Sequence, residues 1–338
     1  MKLPEMELAY PPTVADACRY LAAGRSEAQA IAGGTDLLVA LKEGQKPPRK
    51  IIDLSGLSGL AEVSYSPTDG LEIGALVTLH RLIKDNVIKD HYPVITKAAG
   101  LVGTVQLQAM ATLGGNLCQD SCCMYFNRPE EVRRPLPPCH KLGGCICHVV
   151  QNSEECWAPY AGDMAPVLIA LDATVSVANP EGENQVKLAQ IYSDDGAHPL
   201  KLEPGHLITR INCPAPAPHT GTVYFKTRPR ETMDYAVAGV ATSLTLDPTN
   251  MICEEAKIVL TGVAASPKMV PEASELLGQV LTEEAMDQVA NAAVKLAFPV
   301  RNVIGAEPGY RRTMVMVDVK RSLQEAFRLA TKSLEEGK

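Results

Sequence analysis

No stretch of this 338-residue chain reaches the roughly 20 apolar residues of a membrane span, and its opening, Met-Lys-Leu-Pro-Glu, lacks the apolar core of a secretory signal. A cytoplasmic protein is expected. An excess of positive charge is missing as well. The 32 lysines and arginines stand against 39 aspartates and glutamates, a formal net charge of −7 that repels phosphate backbones and anionic lipid and argues against nucleic acid as a partner. Solenoid-length repeats and low-complexity tracts are also lacking.

What is present describes a globular protein. Apolar residues make up 46% and charged residues 21%, and the length suits two domains. Thr13, followed by Asp16 and by Val14, Ala17, Cys18 and Leu21 at helical spacing, predicts a capped helix. Short apolar runs at Ala30–Ala32, Ile51–Leu54 and Leu71–Ala75 predict strands, and Leu79–Leu101 carries a helical rhythm. A helix over Asp163–Asp172 and a strand over Ala173–Ala178 follow. The proline-rich link Cys213–Pro218 marks the division. Beyond it, strands at Thr222–Lys226 and Ala256–Val263 precede helices around Ser274–Gly278, Thr282–Phe298 and Tyr310–Leu334, an α+β order.

Two glycine pairs stand out. Ala32-Gly33-Gly34-Thr35-Asp36 lies between a strand and the helix opening at Leu37, and Thr112-Leu113-Gly114-Gly115-Asn116 repeats the same ingredients. Glycine removes the Cβ where backbone N–H groups must approach phosphate oxygens at a helix start. A single such pair reads equally as a tight turn, but two together suit a pyrophosphate and hence a dinucleotide. Neither has the G-x-G-x-x-G spacing of a Rossmann crossover or the lysine of a phosphate loop, so another cofactor fold is required.

The ten cysteines are distributed unevenly. Cys18, Cys213 and Cys253 sit singly among apolar neighbours and read as core residues, whereas Cys118, Cys122, Cys123, Cys139, Cys145, Cys147 and Cys156 crowd one segment. Six of the seven fall within 119–160, a stretch that holds five prolines and little periodicity, and its Tyr125, Phe126, Trp157 and Tyr160 stand out in a chain with 4% aromatics. Long irregular loops inside a domain are usually functional or pinned. Cysteines in a reducing compartment favour metal, so iron-sulfur and zinc both fit the residues, and His140 and His148 each follow a cysteine that could bind zinc.

These motifs resemble the FAD-binding medium subunits of molybdenum hydroxylases, the family of xanthine and carbon monoxide dehydrogenase flavoproteins. The resemblance runs through the two glycine loops, Asp163 with Pro166, Lys226 and Met233–Ala241. It implies a two-part FAD-binding domain of the PCMH/vanillyl-alcohol-oxidase type over 1–215, with subdomains of about 1–55 and 56–215. A CO dehydrogenase flavoprotein C-terminal-like α+β domain follows over 220–334. By resemblance, Ala32, Gly33, Gly34, Thr35, Asp36, Leu37, Thr112, Gly115, Asn116 and Asp120 hold the cofactor, Asp163 contacts the flavin system, Lys226 lies near the isoalloxazine and Leu207 packs on the ring. No catalytic acid or base is implied. For Asp163, a helix cap is the alternative reading.

Most of the family runs directly from the Gly-Gly-Asn loop to the segment around Asp163. The inserted 119–160 is similar to the corresponding loop of the 4-hydroxybenzoyl-CoA reductase flavoprotein subunit, which implies a 4Fe-4S cluster on Cys123, Cys139, Cys147 and Cys156. From the residues alone, Cys122 for Cys123 and Cys145 for Cys147 stay open. The implied partners are a large molybdopterin-binding subunit and a small subunit with two 2Fe-2S clusters, with a ferredoxin as external donor. Two alternatives remain: a molybdenum hydroxylase of another substrate, and a zinc-stabilised binding protein in which the glycine pairs are turns.

Overall fold

The computed structural model describes residues 3–45, 47–231, 233–300 and 306–336. Its α+β architecture rests on three sheets. The first is small and parallel, with Lys50–Asp53 between Glu7–Ala9 and Ala28–Ile31. The helix Val14–Gly24 begins where expected: Thr13 Oγ1 accepts the Asp16 N–H at 3.1 Å, and the helix buries Ala17, Cys18 and Leu21.

The second sheet is antiparallel, in the order Val63–Ser66, Gly70–Gly74, Leu207–Cys213, Thr174–Asn179, Gly182–Lys187. Its two inner neighbours are remote in sequence, pairing Leu71 with Cys213 and Gly74 with Arg210. The short helices and the cysteine segment form one excursion between Gly70–Gly74 and Thr174–Asn179, the two strands that flank Leu207–Cys213 in the sheet. Leu79–Leu101, expected as one helical run, is divided into Leu79–Lys84, Asn86–His91 and Pro93–Gly100. The cause is local. The Asp85 carboxylate caps a new start by accepting from the N–H groups of Val87 and Ile88, and Pro93 opens the third helix.

The third sheet, in the order Lys268–Met269, Cys253–Thr261, Ala238–Leu246, Thr220–Thr227, packs one face on Pro308–Glu336, against which Glu283–Val294 packs in turn. Its other face meets Met164–Ala170, so that Tyr224, Ala241 and Val259 share a core with the second sheet. Cys18, Cys213 and Cys253 are buried in these cores, as expected. Strand Ala238–Leu246 escaped sequence reading because it is buried on both faces and shows no alternation.

Segment 119–160 is more ordered than a plain loop. It contains the helix Glu130–Arg133, a 3₁₀ turn at His140–Leu142 and an isolated bridge between Cys139 and Ile146. Buried Arg133 fastens it to the first lobe, donating to the carbonyls of Glu43 and Gly44 at 3.1 Å each.

Candidate functional site

The two glycine loops touch. A Cβ on Gly33 would lie 1.8 Å from the Met110 carbonyl oxygen, just ahead of the second loop, so only glycine lets the backbones approach this closely. Gly34 has φ +69°, the left-handed turn that delivers the chain from the strand ending at Ile31 to the helix Leu37–Lys42. Among the described residues, the backbone N–H groups of Gly33, Gly34, Thr35 and Asp36 donate to no protein acceptor. On the facing loop, Thr112 Oγ1 caps the helix Leu113–Leu117 by accepting from Gly115 N, and within that helix Gly115 alone is exposed. The loops are cross-tied where Asp120 N donates to Asp36 Oδ2 at 3.2 Å. On the second loop the N–H groups are engaged, Leu113 with the Val77 carbonyl, Gly114 with that of Ala75, Gly115 with Thr112 Oγ1 and Asn116 with the Thr112 carbonyl, so it is the free N–H groups of the first turn that suit the cradle to an anion with several oxygens.

Asp163 and Lys226 are brought together differently from the expectation. They form a buried ion pair, Lys226 Nζ to Asp163 Oδ2 at 2.8 Å, with side-chain exposures of 2% and 6%. Tyr224 donates to the other Asp163 oxygen at 2.6 Å, and Lys226 also donates to the Leu101 carbonyl at 2.9 Å. Burial, and then the carboxylate, push the Tyr224 phenol well above its ordinary pKa, which keeps it a donor. Asp163 precedes the helix Met164–Ala170 but does not cap it with its side chain. Instead Asn116 Oδ1 accepts the Met164 N–H at 3.2 Å. The pair thus forms a floor under the Gly-Gly-Asn loop. Leu207 is elsewhere, 8% exposed and packed with Cys18, Leu21, Ile52 and Leu54 between the first lobe and the second sheet.

In the insertion, Cys123, Cys139, Cys147 and Cys156 all line one pocket. Cys118, Cys122 and Cys145 are not among its lining residues; Cys145 is exposed, and burial pushes the thiols of Cys118 and Cys122 up to about 12. A tight return brings Cys139 and Cys147 together. Gly143 takes φ +84°, Gly144 N–H donates to the Cys139 carbonyl, and a Cβ on Gly144 would strike the Pro138 oxygen at 1.7 Å. Backbone N–H groups point at the sulfurs: Phe126 N lies 3.2 Å from Cys123 Sγ, and Val150 N lies 3.3 Å from Cys147 Sγ. His140 and His148 each turn Nε2 to a carbonyl, of Ser153 and Pro137 respectively. Among the described residues, no three His, Cys, Asp or Glu side chains converge as a single-ion site.

Sequence reading missed Tyr224, Arg133 and Lys141. Nothing in their local pattern marks them, since each acts through contacts remote in sequence, such as Tyr224 with Asp163 and Lys141 with Gly196.

The fold and the cradle define a dinucleotide-binding flavoprotein. Residues 4–216 match the family described as the FAD binding domain in molybdopterin dehydrogenase, and residues 223–326 match the CO dehydrogenase flavoprotein C-terminal domain. The chain therefore belongs to the FAD-binding subunits of the molybdopterin dehydrogenase family. It is 34% identical over 261 residues to the aldehyde oxidoreductase FAD-binding subunit PaoB of Escherichia coli, covering 75% of this chain and 80% of that protein. The carbon monoxide dehydrogenase medium chain of Afipia carboxidovorans is 28% identical over 317 residues, 94% of each chain. A crystal structure of Cu,Mo-CO dehydrogenase superposes with a TM-score of 0.79 at 26% identity, over 97% of this chain and 100% of that one. Among the described residues no helix is long and apolar enough to cross a membrane.

Proposed function

We propose that this chain carries electrons between FAD in the glycine cradle and a 4Fe-4S cluster in the cysteine pocket, on behalf of a molybdopterin-binding large subunit and a small subunit with two 2Fe-2S clusters. The observation that carries this reading is the meeting of four cysteines at one pocket whose insertion is tied by Asp120 to the glycine loops. Bound FAD supplies exchange between two-electron and one-electron chemistry, and a cubane supplies a one-electron relay.

The residues suit these groups. A cubane takes one thiolate per iron, so its four ligands would surround a volume rather than converge on one ion, and four cysteines lining one pocket offer that number of thiolates. Zinc would draw its thiolates to about 2.3 Å from a single centre. Tyr125, Phe126 and Trp157 contribute apolar lining, and N–H donors to the sulfurs favour the more negative reduced state. At the cradle, the free N–H groups of residues 33–36 would hold the pyrophosphate.

In this reading the partner reaction is reductive dehydroxylation of a phenolic acyl-CoA of the 4-hydroxybenzoyl-CoA type, with a ferredoxin-class donor delivering single electrons at the insertion. The similarity of the insertion to the loop of that reductase supports it. A second reading, a hydroxylase of another substrate, is favoured by relatives named for aldehyde, carbon monoxide and xanthine. Anaerobic purification of the complex tests both. The expected result is FAD with about four iron and four sulfide on this chain, a molybdenum-containing partner, and turnover of the phenolic acyl-CoA. Zinc without flavin would overturn the proposal, whereas turnover of an aldehyde or purine alone would favour the second reading.

A further inference from the structure

The insertion contains a cation that neither cofactor assignment uses. Lys141 lies two residues beyond Cys139, lines the same pocket as the four cysteines, and has a side chain only 4% exposed. Its Nζ donates to Asp120 Oδ1 at 2.6 Å, Ser121 Oγ at 2.5 Å and the Gly196 carbonyl at 3.0 Å, and lies 4.9 Å from the Phe126 ring centroid. An ammonium has three donors, and all three are engaged. The acceptors belong to two stretches of chain, the adjacent Asp120 and Ser121 and the remote Gly196. Asp120 is held to Asp36 of the first glycine loop, Ser121 precedes Cys122 and Cys123, and Gly196 accepts from Lys141 while its own N–H donates to the Cys156 carbonyl.

A buried lysine needs compensation. Asp120 supplies one negative charge, but its side chain is 48% exposed, so water weakens its share. The remaining field of the ammonium acts on the pocket. Four thiolates and a cubane place net negative charge there, and reduction adds one more electron, so a nearby fixed cation stabilises the reduced state more than the oxidised one.

We propose, resting on the cluster reading above, that Lys141 is a positioning and tuning residue: it ties the cysteine pocket to the FAD cradle through Asp120 and raises the reduction potential of the cluster. The couple concerned is the gain of one electron by the cluster, supplied in the test by dithionite, with no proton transfer invoked.

The test compares the full chain as wild type, Lys141→Met, Lys141→Arg and Asp120→Asn, each analysed for iron, sulfide and FAD and then titrated with dithionite under EPR. Lys141→Met is expected to lower the one-electron equilibrium constant for cluster reduction at least about tenfold, about 59 mV, with Lys141→Arg recovering most of it. Asp120→Asn removes the compensating carboxylate and is expected to shift the potential in the opposite direction, which keeps the proposal testable if Lys141→Met cannot retain its iron. Full iron in Lys141→Met with an equilibrium constant for cluster reduction within twofold of wild type overturns the proposal, as does a negative shift of the potential in Asp120→Asn. A wild-type chain that holds FAD but no iron overturns the cluster reading itself, and iron analysis separates that failure from the failure of Lys141.

Discussion

The glycine cradle and the cysteine pocket adjoin, yet they are built on opposite principles. The cradle is backbone: free N–H groups at the first turn, set against the second by a strand, by the Thr112-capped helix Leu113–Leu117 and by contact distances that exclude a Cβ at Gly33. The pocket is side chain: sulfurs carried on a segment whose own apolar cluster contains only Cys123, Tyr125, Phe126, Cys139 and Ala158 among its buried members. Regular structure preorganises the first without its ligand, whereas the second has so little core that, under the proposed assignment, cluster binding would supply much of its stability. The sharpest way to break the comparison is Cys139→Ser. Under the proposed assignment it removes essentially all cluster iron and opens the 119–160 segment to protease while leaving FAD in place. Iron, sulfide and flavin analysis with limited proteolysis check this, and loss of FAD together with the cluster would show that the two sites are not separable.

Beside the cradle, the Asp163–Lys226 pair behaves as neither region does, because it is a buried ion pair with further hydrogen bonds from Tyr224 and to the Leu101 carbonyl. Lys226→Met leaves the Asp163 carboxylate buried with only Tyr224 as donor, which is expected to cost about 3–5 kcal/mol. Urea unfolding of the variant measures it. Replacing both residues with apolar ones should recover a large part of the loss, since the penalty comes from the uncompensated charge rather than from the missing attraction.

How much of this was legible in the sequence follows from how local each feature is. Thr13 with Asp16, Gly33-Gly34 and Gly114-Gly115 reveal themselves within a few residues, and the structure places helix starts at each of them. The pairing of Gly70–Gly74 with Leu207–Cys213 was invisible, because register between strands that far apart is decided by packing. Asp163 and Lys226 were singled out by family resemblance as flavin contacts. That they satisfy one another in the interior depends on the second and third sheets closing over Met164–Ala170, which no window of sequence reports. Crowded cysteines announced a segment and the resemblance singled out four of the seven; that these four line one pocket depends on the turn at Gly143-Gly144, which no count of cysteines reports.

Within the cradle the two glycine pairs also differ, and the smallest expected effects distinguish them. Gly33→Ala places a methyl inside the Met110 carbonyl, so the loops must separate, with an expected cost of about 1–3 kcal/mol for overpacking and a parallel loss of FAD. Gly115→Ala meets only the Thr112 hydroxyl, at 2.9 Å, within a helix where alanine gains up to about 1 kcal/mol over glycine. Its thermal stability should therefore stay near wild type. Because Gly115 is the exposed position of the Leu113–Leu117 turn, an added methyl would stand in the open, and under the proposed assignment it is expected to lower FAD affinity without unfolding anything. Flavin-release titration beside a melting curve separates the two cases. Unchanged affinity in Gly115→Ala would mean that the first loop, with its four free N–H groups, holds the pyrophosphate without help from the second.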